Sequence, residues 1–390
     1  MKKLRPNSQF KEYFLDHLKV LEKIKEAGFK AYFIGGAVRD ALLSIKPYDF
    51  DIATNAPLKR LKEIFPDTFD LGLSFGTISI KYEGQIYQIT RFRKEYKYVN
   101  NRKPERVTFS SSLYQDLKRR DFTINTLAYD GSYVIGYFKA FKHLDLSIIK
   151  AVGRPEKRIR EDVLRILRGL RFSLTLNFTI EKKTFEAMKE NVYLLKNISK
   201  ERILDELLEL IKKVDDISLL KELGIFDQIF INSSKINSTL RKSDSIFIKL
   251  ASLFENLDLG KELSEELDNL KMSNRMKEHI FSILSNKDIE ISDKSLRFLL
   301  SKYDLDCIYS ILEYSNSEDP GTLLLKQILE IGYLKSPNDL KISGHDLMAL
   351  GYNKEEIGNI KRKLFNKVIY EPSKNQKDYL IAMVKDEFNK

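Results

Sequence analysis

The hydrophobic period of this chain changes near residue 145, and that change limits the fold more than any other feature. Between residues 30 and 130 short apolar runs alternate with helical stretches. Beyond residue 145 apolar residues recur at three- and four-residue spacing, as in 161–174, 182–189 and 201–213, while glycine and proline become sparse. A period of two makes strands, and a period near 3.6 makes helices with one buried face. The expected fold class is α+β: a small mixed-sheet head followed by an elongated all-α portion. No short repeat or low-complexity linker interrupts it.

Within the head, residues 30–34 read as a strand ending in Gly35-Gly36, and 38–43 as a helix. Residues 49–53 read as a second strand, and 57–65 as a helix opened by a proline. Residues 77–82 and 86–92 are β-rich and meet at Glu83-Gly84, which reads as a hairpin. Residues 100–106 are polar, contain Pro104 and read as a loop.

Composition narrows the class. Apolar residues are 43% and charged residues 32%, the balance of a globular protein. A chain of 390 residues can bury a core without disulfide or metal staples. Cys307 is the single cysteine, so no intrachain disulfide can form, and a reducing, cytoplasmic setting is expected. No run approaches the ~18 apolar residues of a membrane span. The lysines near the N-terminus are not followed by the apolar stretch of a signal peptide. Lys and Arg number 67 against 56 Asp and Glu, a net charge of +11 that suggests a polyanionic partner. Residues 91–120 hold ten basic and three acidic side chains, and residues 150–171 hold eight and three. Such runs are commonly solvated faces, but these two also contain motifs.

Four constellations can carry chemistry. Gly35-Gly36-Ala37-Val38-Arg39-Asp40 joins a strand to a helix. Its glycines let a ligand approach the backbone, the helix start favours an anion, and Arg39 could reach a phosphate. Alone it reads more readily as an ordinary strand-to-helix turn. Asp49-Phe50-Asp51 places two carboxylates on one face of a strand, where they repel unless a cation such as Mg²⁺ joins them. A solvent-facing pair is the plain alternative, and its position just after the glycine turn favours the cation. Arg119-Arg120-Asp121-Phe122-Thr123-Ile124-Asn125 could grip a triphosphate and ribose, or cap a helix. Last come Glu161-Asp162, Arg165, Arg168 and Arg171. On an ideal helix Asp162 and the arginines lie opposite an apolar stripe of Val163, Ile166, Leu167, Leu170 and Leu174. Arginine rather than lysine suggests planar, bidentate hydrogen bonding to a fixed partner.

In this order, followed by Glu201-Arg202-Ile203-Leu204-Asp205-Glu206, the motifs resemble the bacterial class II tRNA nucleotidyltransferases, the CCA-adding enzymes, whose head belongs to the polymerase-β superfamily. Asp346-Leu347-Met348-Ala349-Leu350-Gly351-Tyr352 is similar to that family's C-terminal helical region. The resemblance implies template-independent addition of CMP, CMP and AMP to the 3′ end of tRNA from CTP and ATP. It implies Mg²⁺ on Asp49 and Asp51, and nucleotide binding by Gly36, Arg39 and Arg120. It implies base reading by Asp162 and Arg165, with Arg168 and Arg171 as further nucleotide-binding arginines. The expected division is a catalytic head over 1–145, a base-recognising neck over 146–215 and a tRNA-binding body and tail over 216–390. Partners would be the tRNA acceptor arm and 3′ end. Enzymes adding only the final A, poly(A) polymerases, a non-catalytic RNA-binding relative and a small-molecule nucleotidyltransferase remain alternatives. Three departures stand out. The family's Asp-x-Phe-Gly-Gly-like motif is Gly136-Tyr137-Phe138-Lys139-Ala140 here. A frequent acid, a candidate third metal ligand, is Gln88. The flexible loop has Asn100 where an aspartate is usual.

Overall fold

The computed structural model of the chain describes residues 1–69, 76–99 and 103–388. It divides into two compact units, Met1–Ser233 and Ser234–Lys390.

The first unit is built on an eight-stranded mixed sheet. Its strands are β1 (Lys2–Leu4), β2 (Ala31–Ile34), β3 (Ile52–Thr54), β4 (Thr68–Phe69), β5 (Thr77–Tyr82), β6 (Gln85–Arg91), β9 (Leu127–Tyr129) and β10 (Val134–Gly136), in the spatial order β1-β10-β9-β2-β3-β6-β5-β4. Among the described strands of this sheet only β3 and β6 pair in parallel, with Ile52 beside Ile89. β7 (Arg93–Val99) and β8 (Lys103–Phe109) form a separate hairpin. Strand therefore begins at Lys103 inside the segment expected to be a loop. Pro104, which cannot donate, is tolerated because this ribbon has only two strands. The β5–β6 hairpin turns through Glu83 and Gly84, both at positive φ, as a twisted two-residue turn requires.

Helices α1 (Ser8–Phe14), α2 (Leu18–Glu26), α3 (Gly36–Leu42), α4 (Leu58–Ile64) and α5 (Leu113–Lys118) accompany the sheet. Phe10 and Phe14 of α1 pack on Phe33 and Tyr129, rings 5.0–5.1 Å apart, so α1 and the middle of the sheet share one apolar core.

The chain then becomes helical: α6 (Ala140–Asp145), α7 (Pro155–Glu161), α8 (Arg165–Leu176), α9 (Lys182–Asn191), α10 (Lys200–Ile211), α11 (Ser218–Glu222) and α12 (Phe226–Ile229), with short strands β11 (Ile148–Ile149) and β12 (Thr179–Ile180) paired in parallel. The single helix expected over 161–174 is two helices. Asp162 ends α7 in an extended conformation (φ −147°, ψ 104°), and α8 starts at Arg165. Gly169 lets α8 seat closely: a Cβ there would lie 2.8 Å from the Phe122 ring.

The second unit is all helix among its described residues, from Ile246–Phe254 to Lys377–Glu387. Leu334, Ile342, Leu347, Leu364 and Val384 centre its last apolar cluster. Asp346, half of the His345-Asp346 pair, accepts from the Ser343 backbone N–H in a capping box and pairs with Lys377 at 2.6 Å, a structural role. No described helix is long and apolar enough to cross a membrane.

Candidate active site

The site lies wholly in the first unit. Its floor is the end of β2, where the chain turns sharply into α3. Gly35 stands at φ 70°, ψ −125°, which disfavours any side chain, and a Cβ there would meet Arg120 Nη1 at 2.7 Å. The first glycine of the pair is thus explained by backbone conformation and by a guanidinium pressed against it. Arg39, one turn into α3, is buried. Its Nη1 donates to Asn125 Oδ1 at 2.7 Å, its Nε donates to Asp40 at 2.8 Å, and its guanidinium lies over the Phe172 ring.

Asp49 and Asp51 stand in the extended approach to β3, not within the strand expected over 49–53. Pairing begins with the Ile34 N–H donating to the Asp51 carbonyl at 3.0 Å. The alternation still holds. Phe50 turns inward to stack on His17 and pack against Phe14 and Phe33, whereas Asp49 and Asp51 line one cavity. Close surroundings raise the Asp51 carboxyl above its ordinary value, Asp49 adds to that, and Arg120 opposes it. Gln88 lines the adjoining cavity with Asp51, one residue before the Ile52–Ile89 pairing, and brings no charge. No cluster of three or more His, Cys, Asp or Glu suited to a metal occurs among the described residues. Two carboxylates facing one cavity fit a hard cation that takes its remaining oxygens from water and substrate, as Mg²⁺ does, and do not fit an all-protein cage.

The wall opposite is an arginine–carboxylate lattice. Asp121 is buried. Burial opposes its charge, but Arg168, the Asn125 amide and the Phe122 N–H hold its carboxyl well below the usual range. Arg168 grips it through Nε at 2.9 Å and Nη2 at 2.8 Å. Glu206 of α10 accepts from Arg168 Nη1 at 3.1 Å and from Arg171 Nε at 2.8 Å, so one carboxylate orients both arginines. Both also lie over Phe172. Arg120 is pressed from behind by buried Asp116, with 3.7 Å between them, and its Nε has no hydrogen-bond partner. Burial lowers its pKa, yet an arginine stays protonated.

The break between α7 and α8 sets Asp162 and Arg165. Asp162, outside the helix, accepts from Arg202 Nη2 at 3.0 and 3.3 Å and from the Leu164 N–H. Arg165 is buried rather than on a solvated face. Its Nη1 donates to the Arg158 carbonyl and Glu161, and its Nη2 to the Arg119 carbonyl.

Two adjoining cavities, of about 380 and 270 Å³, share Asp51, Arg120, Asp121 and Arg168. The larger adds Gly36, Arg39, Asp49 and Arg171, and the smaller adds Asp162 and Arg165. All nine residues singled out in the sequence therefore converge. Glu206, Arg202, Asp121 and Phe172 were not assigned roles there. The four-residue spacing of Arg202 and Glu206 on a helical stretch was the available signal.

A family described as "Poly A polymerase head domain" matches residues 31–150, and one described as "Probable RNA and SrmB- binding site of polymerase A" matches residues 177–233. The CCA-adding enzyme of Staphylococcus haemolyticus is 35% identical over 96% of this chain and 98% of its own length. That of Lactobacillus helveticus is 33% identical over the same shares. Among solved structures, the Bacillus stearothermophilus CCA-adding enzyme in complex with CTP superposes with a TM-score of 0.79 at 26% identity, covering 96% of this chain and 98% of that one.

Proposed function

The chain belongs to the family of CCA-adding enzymes, and from that premise we propose how its own residues serve the reaction. The reaction is addition of CMP, CMP and AMP to the 3′ end of tRNA from CTP and ATP, with release of pyrophosphate. The observation that carries this reading is the convergence of the Asp49–Asp51 pair, the Gly35–Gly36 turn and the arginine lattice on two adjoining cavities.

Enzymes of this kind generally use a divalent metal. We assign it as Mg²⁺ on Asp49 and Asp51, where it would activate the attacking 3′-hydroxyl and stabilise the leaving pyrophosphate. Arg39 and Arg120 meet the triphosphate, with the N–H of Gly36 open to it because no side chain intervenes. Arg168 and Arg171, locked by Asp121 and Glu206, present fixed donors that need no reorganisation as charge develops. Asp162 and Arg165 read the base. Cytosine and adenine each offer an amine donor beside a ring-nitrogen acceptor, matching a carboxylate and a guanidinium. Uracil and guanine reverse both, and each mispaired contact costs about 1–3 kcal/mol. The division of labour is catalysis over residues 1–145, base recognition over 146–215 and tRNA binding over 216–390.

The test is to incubate the enzyme with tRNA lacking its 3′ CCA, supply each NTP in turn and all together, and sequence the product ends. The expected product is CCA with UTP and GTP rejected. Asp49→Ala and Asp51→Ala should each lower addition by at least about a thousandfold while tRNA binding persists. Addition of A alone to CC-ended tRNA, or of runs of A, would replace this reading with one of its relatives.

A further inference from the structure

We propose that a basic cleft between the β7–β8 hairpin and α7 holds the single-stranded 3′ end of the tRNA, the nucleotides just before the growing terminus. This rests on the function proposed above and adds the route by which the RNA reaches the site.

The cleft is a cavity of about 520 Å³ lined by six cations and two carboxylates. Both carboxylates are engaged: Glu95 with Arg93 and Arg119, and Glu161 with Arg158 and Arg165. The side chains of Lys94, Lys118, Arg154 and Lys157 have no ion pair or hydrogen bond among the described residues. Four like charges around one cavity repel one another, and nothing described in the fold neutralises them. A polyanion would.

Tyr96 stands on the same wall with 46% of its surface exposed. A cationic groove with an open aromatic ring is the arrangement that holds single-stranded nucleic acid, the cations tracking phosphates and the ring stacking a base. The volume suits one or two nucleotides and is far too small for a duplex. A free triphosphate is already provided for by Arg39 and Arg120. Arg119 lines both this cleft and the cavity that holds Asp162 and Arg165, so a strand lying here ends beside the incoming base.

The experiment compares wild type, Lys94→Ala/Lys157→Ala, Tyr96→Ala and Tyr96→Phe in steady-state addition to tRNA lacking CCA. The double variant should raise KM for tRNA on the order of tenfold and flatten the salt dependence of binding by about two in slope. Tyr96→Ala should raise it at least about fivefold, and Tyr96→Phe should restore it, because stacking needs the ring only. KM for CTP and kcat at saturating tRNA should hold. In the wild type, tRNA but not CTP should protect Lys94, Lys118 and Lys157 from an amine-reactive reagent. If the variants bind tRNA normally and the lysines stay reactive while wild type still adds CCA, the cleft is not the RNA track. A rise in KM for CTP alone would make it a nucleotide site and overturn the proposal. Failure of the wild type to add any nucleotide would instead overturn the function itself.

Discussion

At the residue scale, the departures from the family pattern have structural consequences of their own. Gly136 stands where the family motif has an aspartate, and a Cβ there would press within 2.5 Å of the Phe141 ring. Lys139 stands where the motif has glycine and adopts φ 63°, ψ 28°, a left-handed conformation that costs a side-chain-bearing residue about 1–2 kcal/mol. Its side chain is exposed and it caps α6 without a side-chain hydrogen bond. Lys139→Gly should therefore stabilise the protein by about 1 kcal/mol, less than the full strain because glycine also gains freedom in the unfolded chain. The denaturant midpoint should rise at unchanged slope. A fall would show that the Lys139 side chain contributes more than its backbone strain removes.

At the element scale, the break between α7 and α8 decides what Asp162 can do. Were it inside a continuous helix, its carboxylate would leave one face near Arg165 with nothing to fix it. As the extended residue ending α7, it is instead anchored by Arg202 across from α10. A carboxylate that accepts two contacts from Arg202 retains lone pairs for a base amine. We expect Asp162→Ala to lower use of CTP and ATP and narrow the gap to UTP and GTP. Arg202→Ala should reproduce that loss of discrimination in weaker form, since it leaves the carboxylate in place, still accepting from the Leu164 N–H, but without its ion pair. Kinetics with the four NTPs separately would show it. Unchanged selectivity in both variants would make Asp162 a structural acid of the turn.

At the scale of the whole molecule, the charge surplus of +11 is concentrated in segments that the fold gathers. Residues 91–120 and 150–171 line the basic cleft and supply most of the cations of the two site cavities. Binding of tRNA should accordingly weaken steeply with salt, by about a hundredfold between about 50 and 200 mM if about five phosphates are contacted. A fluorescence titration at several salt concentrations measures the slope. A flat response would leave the cations as solubility charges.

The sequence by itself determined the fold class, because the shift from a two-residue to a 3.6-residue apolar period is local information that packing does not overrule here. It also singled out residues that the fold brings to two adjoining cavities. Gly35, Asp49, Asp51, Arg120 and Arg168 stand in short motifs whose chemistry is legible without distances. What only the tertiary structure decided was how those side chains are held. An ideal-helix projection cannot foresee that the chain breaks at Asp162. It cannot foresee that Glu206, 35 residues beyond Arg171, closes the arginine lattice, or that Arg202 anchors Asp162. Such contacts join residues far apart in sequence, and their partners are chosen by the packing of α8 against α10, which no local pattern encodes.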